Sequence, residues 1–269
     1  MIEQVGELVR EAARTAVEPL FRRLADDEIS EKAPGEVVTV ADRRSEEILT
    51  AGLQRLLPGS LVVGEEGTAD DPTVLDRLRS PGMVWLVDPL DGTSNFAAGR
   101  TPFAVMVALL RGGAPVASWI LDVMTGELAV AELGSGAYLD GVRVSARADA
   151  PSPDQLTGAV MSRFLPQVLR VPVERAASQL GKVSEGLHCA GREYPDIVAD
   201  TQQFVLFWRT LPWDHAPGTL FVREAGGTAR RFDGTDYLPG DDRPGLLVAA
   251  NEAIWHAVHD VLLVDDRAA

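Results

Sequence analysis

The chain has 269 residues, 46% of them hydrophobic, enough for one large domain or for two lobes sharing a core. Its 40 acids against 25 bases leave a net charge of -15, a surface that repels nucleic acid and anionic membranes and leaves no basic docking stripe. Cys189 is the only cysteine, which excludes an intramolecular disulfide and a thiol-based zinc site.

The opening stretch "MIEQVGELVREAARTAVEPLF" places Val5, Leu8, Val9, Ala12, Ala16 and Leu20 on one helical stripe. It has neither the basic start nor the continuous apolar core of a signal peptide. No window holds the ~18 apolar residues of a membrane span, so the chain reads as soluble and cytoplasmic, with no membrane partner. "SEKAPGEVV" reads as a loop. Thr39 or Asp42 then caps the helix "ADRRSEEILTAGLQRLL", closed by Pro58 and Gly59. "SLVVGEEG" is a short buried strand breaking at Gly64, "DPTVLDRLRSPG" a helical or irregular excursion, and residues 84–87 the next strand. Strand-like runs "PFAVMVALL", "APVASWILDV" and "ELAVAEL" follow, and "GAYLDGVRVS" carries Asp140 and Gly141 as a two-residue hairpin turn of the mirror-image kind. The Pro-rich "RADAPSPD" divides an N-terminal lobe, 1–146, from a C-terminal lobe, 147–269, within one globular unit. The second lobe alternates: "TGAVMS" strand, "PVERAASQLG" helix, "VSEGLH" strand, "YPDIVAD" helix, "FVLFW" strand. "WDHAPGTLFVREAGG" is a helix stopped by Gly226 and Gly227, and strands "TARRF" and "GLLVAA" lead to a last helix capped by Asn251. Hairpins first and alternation later predict an α/β protein of stacked layers.

Acids collect at element ends: Glu65 and Glu66, Asp88 and Asp91, and Asp214. In "VWLVDPLDGTSNF", Pro89 removes a donor and fixes the turn, so Asp88 and Asp91 can point into one cavity with the Leu90 carbonyl between them. Oxygen-only ligands suit Mg²⁺, which takes a few carboxylates and completes its shell with water and phosphate oxygens. "DGTSN" adds backbone N–H groups and hydroxyls at a helix start, where an anion is favoured. Taken alone, a D-x-x-D after a strand is more often a turn or a cap. Two other phosphate chemistries fail on spacing. Neither lysine, Lys32 or Lys182, lies in G-x-x-x-x-G-K-[ST], so this is no P-loop. D-x-x-D-G-T is one residue longer than the D-x-D-G-T of haloacid-dehalogenase-type phosphatases.

Four motifs in order, "VVTVADRRSEEIL", "VGEEG", "WLVDPLDGTSNF" and "LPWDHAPGTLFVREAGG", spread over 39–227, resemble the inositol monophosphatase family of Mg²⁺-dependent, lithium-sensitive phosphomonoesterases. The resemblance implies a layered α-β-α-β-α sandwich of the inositol monophosphatase/fructose-1,6-bisphosphatase type, usually a homodimer. It implies hydrolysis of a small phosphate monoester by a metal-activated water, with no covalent enzyme intermediate. Two Mg²⁺ ions are implied, one on Glu65, Asp88 and the Leu90 carbonyl, the other among Asp88, Asp91 and Asp214. Asp42 matches an acid near a weaker third position. Glu65 with Thr93 would orient and deprotonate the water, while Gly92, Thr93 and Ser94 hold phosphate oxygens and Asp91, Ala190 and Asp214 complete the substrate site. Glu66 either supports its loop or takes part directly.

Other candidates read more plainly. His256 and His259 belong to a solvated helix face, and His215 either supports Asp214 or is an ordinary helix-start residue. Cys189, in the "LHCAGREY" stretch where the family has a small-residue substrate loop, is a loop or core residue and not a nucleophile. Phe204, Phe207 and Trp208 are core or pocket wall. Family members that prefer inositol phosphate have a Glu seven residues before the helix-start Asp, and here that position is Phe207. An aromatic wall can stack on a flat or apolar group but cannot read hydroxyl positions. Histidinol phosphate, a nucleotide 3′-phosphate or a sugar phosphate therefore stand beside inositol phosphate as substrates, with Arg209 or Arg192 available to a second anion. A non-catalytic binding or regulatory protein on the same fold is the alternative from a different class.

Overall fold

The structure is a computed structural model and describes residues 1–33 and 36–264. Helix α1 (Ile2–Ala12) buries Val5, Leu8, Val9 and Ala12 and runs on into a short π-helical turn (Ala13–Val17). The stretch expected to be a loop is instead an antiparallel pair, β1 (Ile29–Ala33) with β2 (Glu36–Thr39), and Pro34 and Gly35 lie outside the described residues. Glu31, Lys32 and Glu36 broke the apolar alternation that announces a strand. Helix α2 (Val40–Leu56) starts on a reciprocal capping box, which decides between the two caps: Thr39 is the N-cap and Asp42 the third helical residue. Asp42 Oδ2 accepts from the Thr39 N–H at 2.8 Å.

The first sheet runs β3 (Leu61–Gly64), β4 (Met83–Asp91), β5 (Ala104–Arg111), β6 (Ala114–Asp122), β7 (Leu128–Glu132), β8 (Gly136–Leu139) and β9 (Val142–Val144), in that spatial order. β3 and β4 pair in parallel across α3 (Glu65–Asp70) and a 3-10 stretch (Pro72–Arg79), and the later pairs are antiparallel. Asp140 at φ 45° and Gly141 at φ 78° form the expected mirror-image turn. Alternation sorts the faces. Trp85, Val87, Val105, Val107 and Trp119 pack with α1 and α2, while Val84, Leu86, Met106, Ala108 and Ile120 face the second half of the chain. Each such large apolar side chain contributes about 1.5–3 kcal/mol by leaving water.

The second sheet has the order β11 (Lys182–Ser184), β10 (Thr157–Val160), β12 (Phe204–Phe207), β14 (Leu246–Ala249) and β13 (Thr228–Arg230), with parallel and antiparallel pairs. Helices α6 (Ala190–Val198) and α7 (Pro212–Glu224) lie between the sheets, and α5 (Gln167–Ala176) and α8 (Glu252–Leu263) cover the far side. The result is the α-β-α-β-α sandwich the motifs implied. Two helix starts differ from the sequence reading. α5 begins at Gln167 and keeps Pro172 inside it, because the carbonyl Pro172 leaves free belongs to the surface residue Val168. α6 begins at Ala190 and so absorbs the small residues expected to form a loop. Among the described residues no helix is long and apolar enough to cross a membrane.

Candidate active site

The acids of β4 do not follow the strand; they lie within it. Asp88 pairs with Met106 and Asp91 with Ala104, so β4 carries one extra residue between them. Pro89 supplies no ladder N–H there, and the chain bulges. Ser45 Oγ donates to the Pro89 carbonyl at 2.9 Å, and the Leu90 N–H donates to Asp88 Oδ1 at 3.1 Å. Gly92 then turns the chain at φ 82° into the short helix α4 (Thr93–Ala97), and a Cβ there would stand 3.0 Å from the Pro102 carbonyl. The first N–H groups of α4 have no acceptor within the helix.

One cavity of about 320 Å³ takes in Glu65, Asp91, Gly92, Thr93, Ser94, Ala190 and Asp214. Glu65 comes from the start of α3, Asp91 from the end of β4 and Asp214 from the first turn of α7, where a carboxylate is favoured by the helix dipole. Asp88 and Leu90 do not reach the cavity surface: Asp88 is 1% exposed and Leu90 is fully buried. The Leu90 carbonyl, expected to be open, is 2.8 Å from Thr93 Oγ1. That hydroxyl also lies 3.0 Å from Asp42 Oδ1. The Thr93 hydroxyl can donate to either oxygen. Burial, against the Thr39 hydrogen bonds, pushes the Asp42 carboxyl up to about 7. Asp42 Oδ2 is taken by Thr39, and Oδ1 is shared with Thr93.

Charge sets the character of this floor. Burial, then the neighbouring carboxylates Glu65 and Asp91, hold both Asp88 and Asp214 well above the usual carboxylate range. Burial likewise raises Asp91 to about 6, although the Gly191 N–H donates to Asp91 Oδ2 at 2.6 Å. Lys32, in no motif of the sequence, reaches in from β1. Its Nζ lies 2.8 Å from Glu65 Oε1 and 2.5 Å from Glu66 Oε1. Burial opposes the Lys32 charge, but Glu65 and Glu66 outweigh it and shift the ammonium upward. Glu66 is further held by its N–H, which donates to Glu46 Oε2 at 2.8 Å, so its observed contacts are those of a loop support. As these side chains stand, no three His, Cys, Asp or Glu groups among the described residues are gathered closely enough to grip an ion. Lys32 contacts one oxygen of Glu65, and backbone N–H groups take one oxygen each of Asp88 and Asp91. The donor set still fits a hard divalent cation, being all oxygen, strongly acidic and self-repelling until neutralised.

Comparison with known proteins identifies the group. A model of the inositol monophosphatase family matches residues 1–265. The chain belongs to the inositol monophosphatase family. An inositol-1-monophosphatase of Mesorhizobium japonicum is 32% identical over 88% of this chain and 87% of its own. A fructose-1,6-bisphosphatase/inositol-1-monophosphatase of Thermococcus kodakarensis is 31% identical over 91% of this chain and 90% of its own. A protein of Pseudomonas aeruginosa named Nus factor SuhB is also 31% identical, over 92% and 91%. Among solved structures, the SuhB protein of Bartonella henselae superposes with a TM-score of 0.83 at 26% identity, covering 98% of both chains.

Within this member of the family, several side chains differ from their sequence reading. Phe207 is at the cavity but only 4% exposed. Tyr194 stacks on its ring at 5.6 Å and His215 packs edge-on at 4.7 Å, so its face is not free for a substrate. His215 is no plain helix-start residue. Its Nε2–H donates to the Arg209 carbonyl at 2.9 Å, which leaves Nδ1 to accept from the Tyr194 hydroxyl at 2.7 Å. Burial lowers the imidazole to about 3, so it stays neutral. Of the two arginines considered for a second anion, Arg192 is turned away onto Asp122, Glu127 and Asp196, whereas Arg209 lines the cavity. Cys189 is buried, and burial with Asp91 nearby raises its thiol well above the ordinary range, so it is inert. His259 is less solvated than expected: it bonds the Phe232 carbonyl at 2.9 Å and stacks on Trp255. Arg100, Arg163 and Phe164, which no motif or spacing signals, also line the cavity.

Proposed function

We propose that this chain hydrolyses a small phosphate monoester with the help of Mg²⁺. The observation that carries the reading is the convergence of Glu65, Asp91 and Asp214 from three separate elements on one cavity beside the Gly92–Ser94 turn, with Asp88 buried next to them. Glu65, Asp88 and the Leu90 carbonyl would hold one cation, and Asp88, Asp91 and Asp214 the second. When bound, such cations neutralise phosphoryl oxygens, lower the pKa of water and stabilise a departing alkoxide. The chain supplies the rest. The N–H groups and hydroxyls of Gly92, Thr93 and Ser94 orient the phosphate, and Glu65 with Thr93 positions the attacking water and takes its proton. The Leu90 carbonyl keeps a second lone pair beside its bond from Thr93, and Glu65 keeps Oε2 beside the Lys32 contact on Oε1, so both retain an oxygen donor for a cation.

The names of the phosphatase relatives support the class, and inositol phosphate is one candidate among histidinol phosphate, nucleotide 3′-phosphates and sugar phosphates. Relatives named Nus factor SuhB support a second, regulatory reading. Phosphate release from such a panel with Mg²⁺, compared with EDTA, decides between them: turnover that EDTA abolishes is expected, and silence on every substrate sinks the enzyme. Li⁺ should inhibit, and high Mg²⁺ should relieve it. A homodimer is also inferred from the family resemblance; light scattering at the mass of a single chain would exclude it.

A further inference from the structure

Hydrolysis accounts for the floor of the cavity but leaves its mouth unexplained. Phe164, between β10 and α5, is 43% exposed there. The guanidinium carbons of Arg163 and Arg209 lie 5.3 Å and 5.4 Å from its ring centroid. The indole of Trp208 lines the same opening. Two cations gathered on one ring repel each other, and the ring's negative face offsets only part of that. Arg209 has an acidic partner, with Glu36 Oε1 at 2.5 Å. Arg163 has no acidic partner among the described residues, in a chain with 40 acids and 25 bases. Arg100, also at the cavity, likewise has none among the described residues. The mouth thus holds positive charge without an acidic partner, in the same cavity as Glu65, Asp91 and Asp214.

We propose that Arg163, Phe164, Trp208 and Arg209 form a subsite for a second anion: the substrate is a phosphomonoester whose far end bears another phosphate or a carboxylate on a flat or apolar frame. The inference rests on the hydrolytic reading and names the substrate class of that same site. Guanidinium forks match the paired oxygens of a phosphate or carboxylate, and charge-assisted bonds of this kind are the strong ones. Phe164 and Trp208 offer apolar surface to the frame, a role closed to Phe207 by Tyr194 and His215. An anion bound between the two arginines also removes their mutual repulsion. A neutral polyol gains neither.

The test is steady-state hydrolysis with Mg²⁺ by wild type, Arg163→Ser and Arg163→Lys. The substrates are 3′-phosphoadenosine 5′-phosphate, fructose-1,6-bisphosphate, 3-phosphoglycerate and glycerol-2-phosphate. Relative to glycerol-2-phosphate, Arg163→Ser should lose roughly tenfold or more in kcat/KM on a doubly anionic substrate. The loss should fall on KM, and Arg163→Lys should restore part of it. A loss confined to the bisphosphates identifies a phosphate, and one on 3-phosphoglycerate a carboxylate. Equal loss on every substrate, or none, overturns the subsite. Should wild type hydrolyse nothing, the hydrolytic reading falls, and calorimetry of 3′-phosphoadenosine 5′-phosphate with Mg²⁺ still decides the subsite. Weaker binding by Arg163→Ser supports it; equal or undetectable binding by both proteins overturns it.

Discussion

The floor and the mouth of the cavity are built by different means. The floor acids sit at the ends or bulges of regular elements, and backbone N–H groups of Leu90 and Gly191 fix two of them. The mouth is carried by the connections after β10 and after β12, with Phe164 and Arg163 at the surface. Chemistry needs groups held within fractions of an ångström, and specificity can be altered on a connection without disturbing the sheets. Substitutions in the floor should therefore strike turnover on every substrate, whereas those in the mouth should sort substrates.

The largest effect should come from Asp88→Asn. It removes the charge assigned to both cations, and turnover should fall by about 1,000-fold or more on all substrates. Stability should hold or rise in EDTA, because one of several mutually repelling buried acids becomes neutral. Normal rates with normal Mg²⁺ binding by calorimetry would show that Asp88 has been misassigned. Asp214→Asn should act more mildly, raising the Mg²⁺ needed for half-maximal rate.

A smaller effect is expected where floor and mouth are joined. Gly218, inside α7, lets the Tyr194 ring lie against the helix that carries Asp214, and a Cβ there would run into that ring. Tyr194 holds His215, and His215 holds the Arg209 carbonyl. Gly218→Ala should cost about 1–3 kcal/mol in urea unfolding through overpacking. It should also lower activity on all substrates, since it moves α7 and the Arg209 segment together. A selective effect on doubly anionic substrates alone would mean that the two regions are uncoupled.

Legibility in the sequence follows the same division. Asp88, Asp91 and the Gly92–Ser94 turn lie within seven residues, so Pro89 and the spacing suffice to suggest a site. The antiparallel strands from β4 onward pair with their chain neighbours, and their alternation reveals them. The mouth gathers Arg100, Arg163 and Arg209 from three distant segments, and Lys32 reaches the floor from a fourth; no local spacing encodes such a meeting. The β1–β2 pair was hidden because its charged residues answer to the cavity and not to a core. Helix α5 was misplaced because Pro172 resembles a first helical residue, and only its exposed neighbour Val168 shows why it is tolerated inside.

The smallest expected effect concerns the support beneath the floor. Glu46 of α2 accepts from the Glu66 N–H at 2.8 Å and the Gly67 N–H at 2.7 Å, and so ties down the first turn of α3, which carries Glu65. Burial outweighs these two bonds and raises the Glu46 carboxyl from 4.5 to about 7. Between those values the folded protein holds a proton that the unfolded chain has released. Stability linked to Glu46 is therefore full below about pH 4.5, declines as pH rises toward 7, and stays lost above it. Glu46→Gln removes the titration. It also turns an amide donor toward one of the two N–H groups, which costs a roughly constant amount at every pH. Urea midpoints of the two proteins should be furthest apart under acid conditions and draw together as pH approaches 7. Because Glu46 is half-buried, water screens part of the effect and the slope is modest. Differences that stay constant across that range would mean Glu46 is already ionised in the folded protein, and that the N–H groups of α3 outweigh its burial.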